Sequence, residues 1–471
     1  MFHYACCWAQ KTQSCWAQKT KVAGLKRLKL QGSRSTSGKM LIKQRPLWVT
    51  LQQVRYNSSK QLSLVKFNNK EISLRINGKP LIFNNVFLRD SCTSPESVDS
   101  ATSQKLFTTA ECSKNLTIEG EPIVSSFEKE PALQVQWSNN NGKTTIRSTY
   151  SWSFLNKNAT QQARRSGKFF DKDRKLWDKT ELTNNLSKLH HNYKDLMNDE
   201  RTFFNVLHNL NRYGLCFIDD IPRPEMTEMN EANVSAWPVS KIANKFGYIK
   251  KTFYGSLFNV RNLKSEAKNI AYTNTFLPLH MDLLYYESPP GLQMLHAIDN
   301  STLGGENLFC DSFLAAEYVR NKDPIAYKAL TQIPITYHYD NNNEYYYYKR
   351  PLIVEDPEID GSCFPKIHAI NYSPPFQGPF EVGVTKDEKL YELFDDFVRG
   401  FQLFENFIND SKNHYEVKLK EGSCVIFENR RTLHSRNGFS DSNGGDRWLM
   451  GTYVDGDSFR SKLRVAYRRF A

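Results

Sequence analysis

Between residues 62 and 155 the runs LSLVKF, ISLRI, LIFNNVFL, ALQVQW and TTIRSTY alternate apolar with polar positions, the period of a strand with one buried face. The last two runs are separated by SNNNG, whose Asn and Gly residues suit a tight hairpin turn. A small, mostly-β domain over 61–157 is the economical reading. Residues 158–198 are polar and basic, then acidic, and read as a linker crossing the surface before short helices. From 199 onward the spacing widens: Phe203, Phe204, Leu207 and Leu210 fall on one helical face, and YGLCFIDDIP follows as helix end, strand and turn. The longest predicted helix covers 386–408, with Leu390, Leu393, Phe394, Phe397, Val398, Phe401, Phe404 and Ile408 on one stripe. YEVKL, KEGS and CVIFEN then read as strand, turn and strand. The pattern predicts an α+β chain whose second domain, 199–471, carries its polar motifs on β segments.

Charge changes this picture only at one end. The formal net charge of +13 resembles a nucleic-acid signature. Residues 1–60, however, hold twelve Lys or Arg and no acid, and removing those twelve from 63 basic residues leaves 51 against 50 acidic ones. A nearly neutral body offers no electrostatic argument for nucleic acid. The leader is rich in Lys, Arg, Ser, Thr and Gln and has no apolar run long enough for a signal-peptide core or a membrane span, which is the composition of a mitochondrial presequence. VRYNSS at 54–59 fits a cleavage neighbourhood; a disordered basic arm or a misplaced start site is the alternative. CWAQKT occurs at both 7–12 and 15–20, as low-complexity drift and not as a structural repeat. The nine cysteines show no C-x-x-C spacing, so no disulfide framework is expected and a reducing compartment such as the mitochondrial matrix fits.

Two costly polar groups interrupt an apolar and aromatic run at 279–286, LHMDLLYY. On a strand or at its end, His280 and Asp282 point to the same face. With a distant histidine such a pair can occupy one face of an octahedral Fe(II) and leave three positions open. The pair alone is weak, because His338 and Asp340 repeat it in YHYDNNNEYYYYKR, expected at a polar turn, and a structural histidine is the commoner use of either. The stretch FENRRTLHSRNGFSDSNGGDRWLMGTYVDGD adds His434 after an apolar strand and Arg447 thirteen residues later. A dioxygenase using iron and 2-oxoglutarate needs a third neutral ligand and a cation for the distal carboxylate, and arginine's planar fork suits the second task. Taken singly, His434 reads as a surface histidine and Arg447 as an ion-pair partner; in this order with the first pair, the metal reading is the stronger.

With these residues in view, the sequence resembles the γ-butyrobetaine and trimethyllysine dioxygenase family, its fungal mitochondrial members most, over about 62–471. The likeness rests on FNNVFLRDSC, FGYIKKTFYG, AYTNTFLPLHMDLLYYESPPGLQMLH, GGENLFCDSF and ENRRTLHSR. It implies a double-stranded β-helix (jelly-roll) catalytic domain binding Fe(II) through His280, Asp282 and His434. It also implies Arg447 as the anchor of 2-oxoglutarate, Leu295 as a backbone contact to it, and ascorbate as reductant. The implied reaction couples decarboxylation of 2-oxoglutarate to hydroxylation of an unactivated C–H. The family's trimethylammonium cage falls on Tyr254, Phe258, Tyr272 and Tyr453, with Phe258 where butyrobetaine enzymes carry Trp, a stronger cation–π face. Asn269 stands where lysine-side members place an acid; its amide can donate to a substrate carboxylate, which favours butyrobetaine over trimethyllysine. A turn-capping role for Asn269 is the plainer alternative.

One departure from the family stands out in the small domain. The resemblance implies a zinc held by C-x-C-x-x-C and a later histidine, but here Cys92 is followed by Ser94 and Ser97, and no histidine occurs between His3 and His190. No structural zinc is therefore expected. The homodimer that the resemblance implies is correspondingly less constrained. The expectation is hydroxylation of γ-butyrobetaine or a close trimethylammonium carboxylate, as in carnitine biosynthesis. Trimethyllysine hydroxylation and a catalytically silent binding protein are the alternatives.

Overall fold

The computed structural model describes residues 60–113, 115–139, 144–170, 173–261, 274–341, 343–356 and 365–470. The expected presequence, the tip of the SNNNG turn, Asn269 and Tyr272 lie outside the described residues.

Residues 292–300, LQMLHAIDN, are buried along nearly their whole length, because the strand they form has a packed layer on each side. Leu292, Met294 and Ile298 face one apolar cluster, Leu295 and Ala297 the other. This is the odd–even split that a pleated strand imposes. We number the strands around it β1 (His190–Asn192), β2 (Leu215–Asp219), β3 (Phe258–Arg261), β4 (Leu277–His280), β5 (Leu292–Asn300), β6 (Asn307–Asp311), β7 (Tyr415–Val417), β8 (Cys424–Glu428), β9 (Thr432–Arg436) and β10 (Arg447–Val454). They form a six-stranded sheet in the order β3-β10-β5-β8-β2-β1 and a four-stranded sheet in the order β4-β9-β6-β7. Every pairing is antiparallel except that of β1 with β2. Two such sheets enclosing a cavity make the jelly-roll arrangement.

The outer side of the larger sheet is covered by α1 (Glu200–Tyr213), α2 (Pro238–Phe246) and a C-terminal helix, Gly456–Phe470. The stripe expected on α1 is the one buried: Phe203, Phe204, Leu207 and Leu210 join Ile242, Phe246, Phe459 and Leu463 in one cluster. Asp199 caps the start of α1 by accepting from the N–H groups of Arg201 and Thr202, and Gly214 ends it at φ +72°.

The helix expected over 386–408 begins later, at Phe394, and runs to Asn409. Leu390 sits at φ +72°, a left-handed turn that a helix cannot pass through. Phe397, Gly400, Phe404 and Ile408 are its buried face, whereas Val398 is exposed.

The stretch read as a surface linker, 158–198, contains the helices Gln161–Phe169, Lys179–Leu189 and Tyr193–Asn198. It also buries Trp177, Leu182, Leu189 and Leu196. Trp177 ties it to the sandwich: its indole N–H donates to the Tyr213 carbonyl at 2.6 Å, and its backbone N–H donates to Asp311 at 3.2 Å.

Residues 62–151 form two antiparallel sheets with an apolar cluster of their own, centred on Leu74, Leu133, Val135, Trp137 and Tyr150. LIFNNVFL is not one strand. The strand ends at Asn84, whose side chain accepts from the Val86 N–H at 2.8 Å and starts the short helix Asn85–Asp90. At the sites of the missing thiolates, Cys92 Sγ lies 3.4 Å from Ser94 Oγ, which lies 3.3 Å from Ser97 Oγ, and Arg89 donates to Ser97 at 3.2 Å.

Candidate active site

β4 is only four residues long, and its pairing with β9 sets His280 directly opposite His434. Residues 154 positions apart in the chain thus become cross-strand neighbours, their ring centroids 4.1 Å apart. Asp282 follows where the strand ends. Its Oδ1 is 3.3 Å from His280 Nε2 and its Oδ2 is 4.0 Å from His434 Nε2. One ligand atom from each of the three lies within 4.8 Å of the other two, the one such His, Cys, Asp or Glu cluster among the described residues.

The donor set fits a divalent transition metal. His280 Nδ1–H donates to the Pro278 carbonyl at 2.8 Å, which fixes the ring and aims Nε2 at Asp282, 3.3 Å away. Burial, with the charge of His280 second, pushes the His434 imidazole down to about 3, so it is neutral at physiological pH. Burial would raise the Asp282 carboxyl, but the His280 hydrogen bond, the two imidazoles and the Tyr453 hydroxyl together hold it well below the usual carboxylate range. Metal binding requires neutral imidazole and ionised carboxylate ligands, and the His434 and Asp282 shifts both run in that direction.

Every predicted site residue that the structure describes lines one cavity, of ≈ 760 Å³ with its open mouth included. Strand alternation accounts for this: Leu295 on β5 faces Gly451 on β10, and Gly451 in turn faces Phe258 on β3. A Cβ on Gly451 would lie 2.2 Å from the Phe258 ring, so the glycine is what lets that ring lie over the sheet. Phe258 stacks on Tyr453 at 4.9 Å and is 6.3 Å from Tyr254, giving a continuous aromatic wall. Tyr453 does more than was expected of it: its hydroxyl donates to Asp282 Oδ2 at 2.7 Å.

Arg447 opens β10 and is 3% exposed, with no hydrogen-bond partner for its Nε among the described residues. Gly305, at φ +77°, leaves room for it, since a Cβ there would approach the Arg447 Nε to 3.2 Å. Burial, and after it the charge of Arg436, pushes the Arg447 guanidinium down to about 9. A buried cation in this state is stabilised by an anion, and a carboxylate is the anion its fork matches.

The cavity also holds residues that sequence reasoning missed. Tyr285, Gln293, Asn307, Phe376 and Arg436 line it beside the expected ones. Arg436 shares a strand face with His434, two positions along β9. Asn307 lies in GGENLFCDSF, and alternation from Phe309, which faces His434 across the β6–β9 pair, points to it. Phe376 ends a single 3-10 turn, Pro374–Phe376, too short to carry a periodic signal. The second His-x-Asp pair is not at a turn. His338 and Asp340 lie within the hairpin strand Pro334–Asn341, opposite Tyr347 and Tyr345, and away from this cavity.

Comparison with known proteins agrees with this geometry. Residues 178–453 match the family model "Taurine catabolism dioxygenase TauD, TfdA family". The chain is 33% identical over 387 residues to "Dioxygenase str8" of Strobilurus tenacellus, covering 80% of this chain and 84% of that one. It is 26% identical to the γ-butyrobetaine dioxygenase of Pseudomonas sp. (strain AK-1), covering 83% and 92%. To "Trimethyllysine dioxygenase, mitochondrial" of Bos taurus the identity is 24%, covering 87% and 89%. Family membership and the His280–Asp282–His434 cluster together support Fe(II) as cofactor and 2-oxoglutarate as cosubstrate. The chain belongs to the TauD/TfdA dioxygenase family, within the group of the γ-butyrobetaine and trimethyllysine dioxygenases.

Proposed function

We propose that this enzyme hydroxylates γ-butyrobetaine or a close trimethylammonium carboxylate, with His280, Asp282 and His434 holding Fe(II) and Arg447 holding the distal carboxylate of 2-oxoglutarate. The observation that carries the reading is the register that sets His280 against His434 in a cavity shared with Asp282 and Arg447. When bound, the iron supplies oxygen activation coupled to decarboxylation of the 2-oxo acid. The protein's own part is positioning. Arg447 and the Leu295 backbone orient the cosubstrate, and the aromatic wall turns the substrate's methyl groups toward π faces.

A trimethylammonium group cannot donate a hydrogen bond, so aromatic faces are how a protein holds it, at about 0.5–2 kcal/mol per good contact. Tyr254, Phe258 and Tyr453 supply three such faces beside the metal cluster; Tyr272 and Asn269 complete the proposed substrate set. The Tyr453 hydroxyl bonded to Asp282 gives that residue a second task, orienting the carboxylate. Ascorbate is the proposed reductant and the mitochondrial matrix the proposed compartment, supported by the acid-free basic leader and by the mitochondrial relative. Residues 61–157 are proposed as a separate small domain, supported by its own apolar cluster, and a homodimer is the proposed assembly.

The test is anaerobic loading with Fe(II) followed by a succinate-release screen across trimethylammonium compounds. Release stimulated by γ-butyrobetaine above trimethyllysine supports the reading, and release indifferent to every trimethylammonium compound overturns the substrate assignment. Asn269→Asp is expected to weaken butyrobetaine relative to trimethyllysine; equal effects on both would remove that position from charge reading.

A further inference from the structure

The block ENRRTLHSR gives the metal cluster His434, but its first residues are spent on something else. Asn429 lies in the turn between β8 and β9 and is fully buried. Its side-chain Oδ1 accepts from the Asp282 N–H at 2.9 Å, and its Nδ2 donates to the Asp282 carbonyl at 2.9 Å. The same Nδ2 donates to the Pro290 carbonyl at 3.3 Å, and the Asn429 backbone N–H donates to the Gly291 carbonyl at 2.9 Å. One amide side chain therefore satisfies both main-chain groups of Asp282 and grips the far end of the connection that leads into β5.

Asp282 needs such a restraint because it lies beyond the end of β4, where no sheet ladder fixes it. The next residue, Leu283, sits at φ +56° and is buried, a left-handed conformation that a leucine holds only when its surroundings dictate it. The turn bearing Asn429 also leads directly into β9, which carries His434. The backbone of Asp282 is thus tied to the segment that delivers the other strand's ligand.

We propose that Asn429 is the positioning residue that fixes Asp282 relative to His434, and so sets the metal affinity of the cluster. This rests on the metal reading of His280, Asp282 and His434 given above. Neighbours that orient metal ligands typically change affinity by about 10- to 100-fold when altered. Asn429→Asp is nearly isosteric: it keeps the acceptor for the Asp282 N–H and replaces both donations with repulsion from the two carbonyls. Asn429→Ala removes all three contacts.

The full chain, its His280→Ala variant and both Asn429 variants are titrated with Mn(II), with affinity referred to the folded fraction by circular dichroism. Thermal melting is recorded without metal. The expected result is tight binding by the wild type, none by His280→Ala at the cluster, and about 10- to 100-fold weaker binding by Asn429→Asp, with a changed Mn(II) electron paramagnetic resonance spectrum. Asn429→Ala is expected to weaken binding at least as much. Wild-type affinity in folded Asn429→Asp, with only the melting temperature lowered, would overturn the inference and leave Asn429 a structural residue. Affinity that does not respond to His280→Ala would instead sink the metal reading itself, so the two failures are distinguishable.

Discussion

His280-Met-Asp282 and His338-Tyr-Asp340 have the same spacing and opposite surroundings. The first pair ends a short strand whose partner places His434 directly across from it, and both of its members line the cavity. The second lies inside a two-stranded hairpin, where its opposite numbers are Tyr347 and Tyr345 and Asp340 is exposed. Two-residue spacing puts any such pair on one strand face. What separates the proposed ligand pair from the second one is the third residue brought by the neighbouring strand, and the burial that keeps its imidazole neutral.

The largest expected effect breaks the first pair and spares the second. His280→Ala and His434→Ala are each expected to abolish substrate-dependent 2-oxoglutarate turnover, whereas His338→Ala leaves it at the wild-type rate. Succinate release measures all three, and loss of activity in His338→Ala would erase the contrast. Next comes the cation. Arg447→Ala is expected to raise the KM for 2-oxoglutarate roughly 10- to 150-fold, the equivalent of a charged hydrogen bond worth about 1.5–3 kcal/mol, with Arg447→Lys recovering part of it. An unchanged KM would remove Arg447 from the cosubstrate site.

Acid should then distinguish the buried histidines by stability. Burial pushes His434 down to about 3, with His280 assisting, and burial alone pushes His296 down to about 4. The unfolded chain, with histidines near 6.5, therefore binds more protons than the folded one between those values. The contribution of these groups is fully present above pH 6.5 and is lost as pH falls toward 3 to 4. Urea midpoints of the metal-free protein are expected to drop from pH 7 to pH 5, and less steeply in His296→Leu; a flat profile contradicts the burial argument. The smallest effect concerns the aromatic wall. Phe258→Trp is expected to tighten trimethylammonium binding about two- to fivefold, the gain of a stronger cation–π face, provided the indole fits above Gly451. Calorimetry against γ-butyrobetaine reads it, and weaker binding would show that fit outweighs π strength.

The residues of the proposed ligand set were legible as a candidate cluster because each sits on or beside a strand, where period-two alternation reveals the face. The register that joins them was not, since it depends on pairing between segments about 150 residues apart, which no local pattern encodes. Trp177, Leu182, Leu189 and Leu196 were hidden for a different reason: isolated apolar anchors in a polar, charged stretch look like a linker until the surface they fill is known. The helix expected from 386 lost its first turns to Leu390, whose left-handed conformation interrupts a stripe that hydrophobicity alone continues. Tyr285 and Phe376 were unreadable as site residues because an aromatic lining a cavity and one filling a core carry the same signal. Asn429 lies within ENRRTLHSR, yet its contacts run to main-chain atoms nearly 150 residues away, which no local pattern encodes.

The most direct measurement is anomalous diffraction from crystals grown with Mn(II) and 2-oxoglutarate. The account predicts one manganese peak within bonding distance of His280 Nε2, a carboxylate oxygen of Asp282 and His434 Nε2, with the distal carboxylate of the 2-oxo acid hydrogen-bonded to Arg447. A peak elsewhere, or a cosubstrate whose distal carboxylate ignores Arg447, would contradict it.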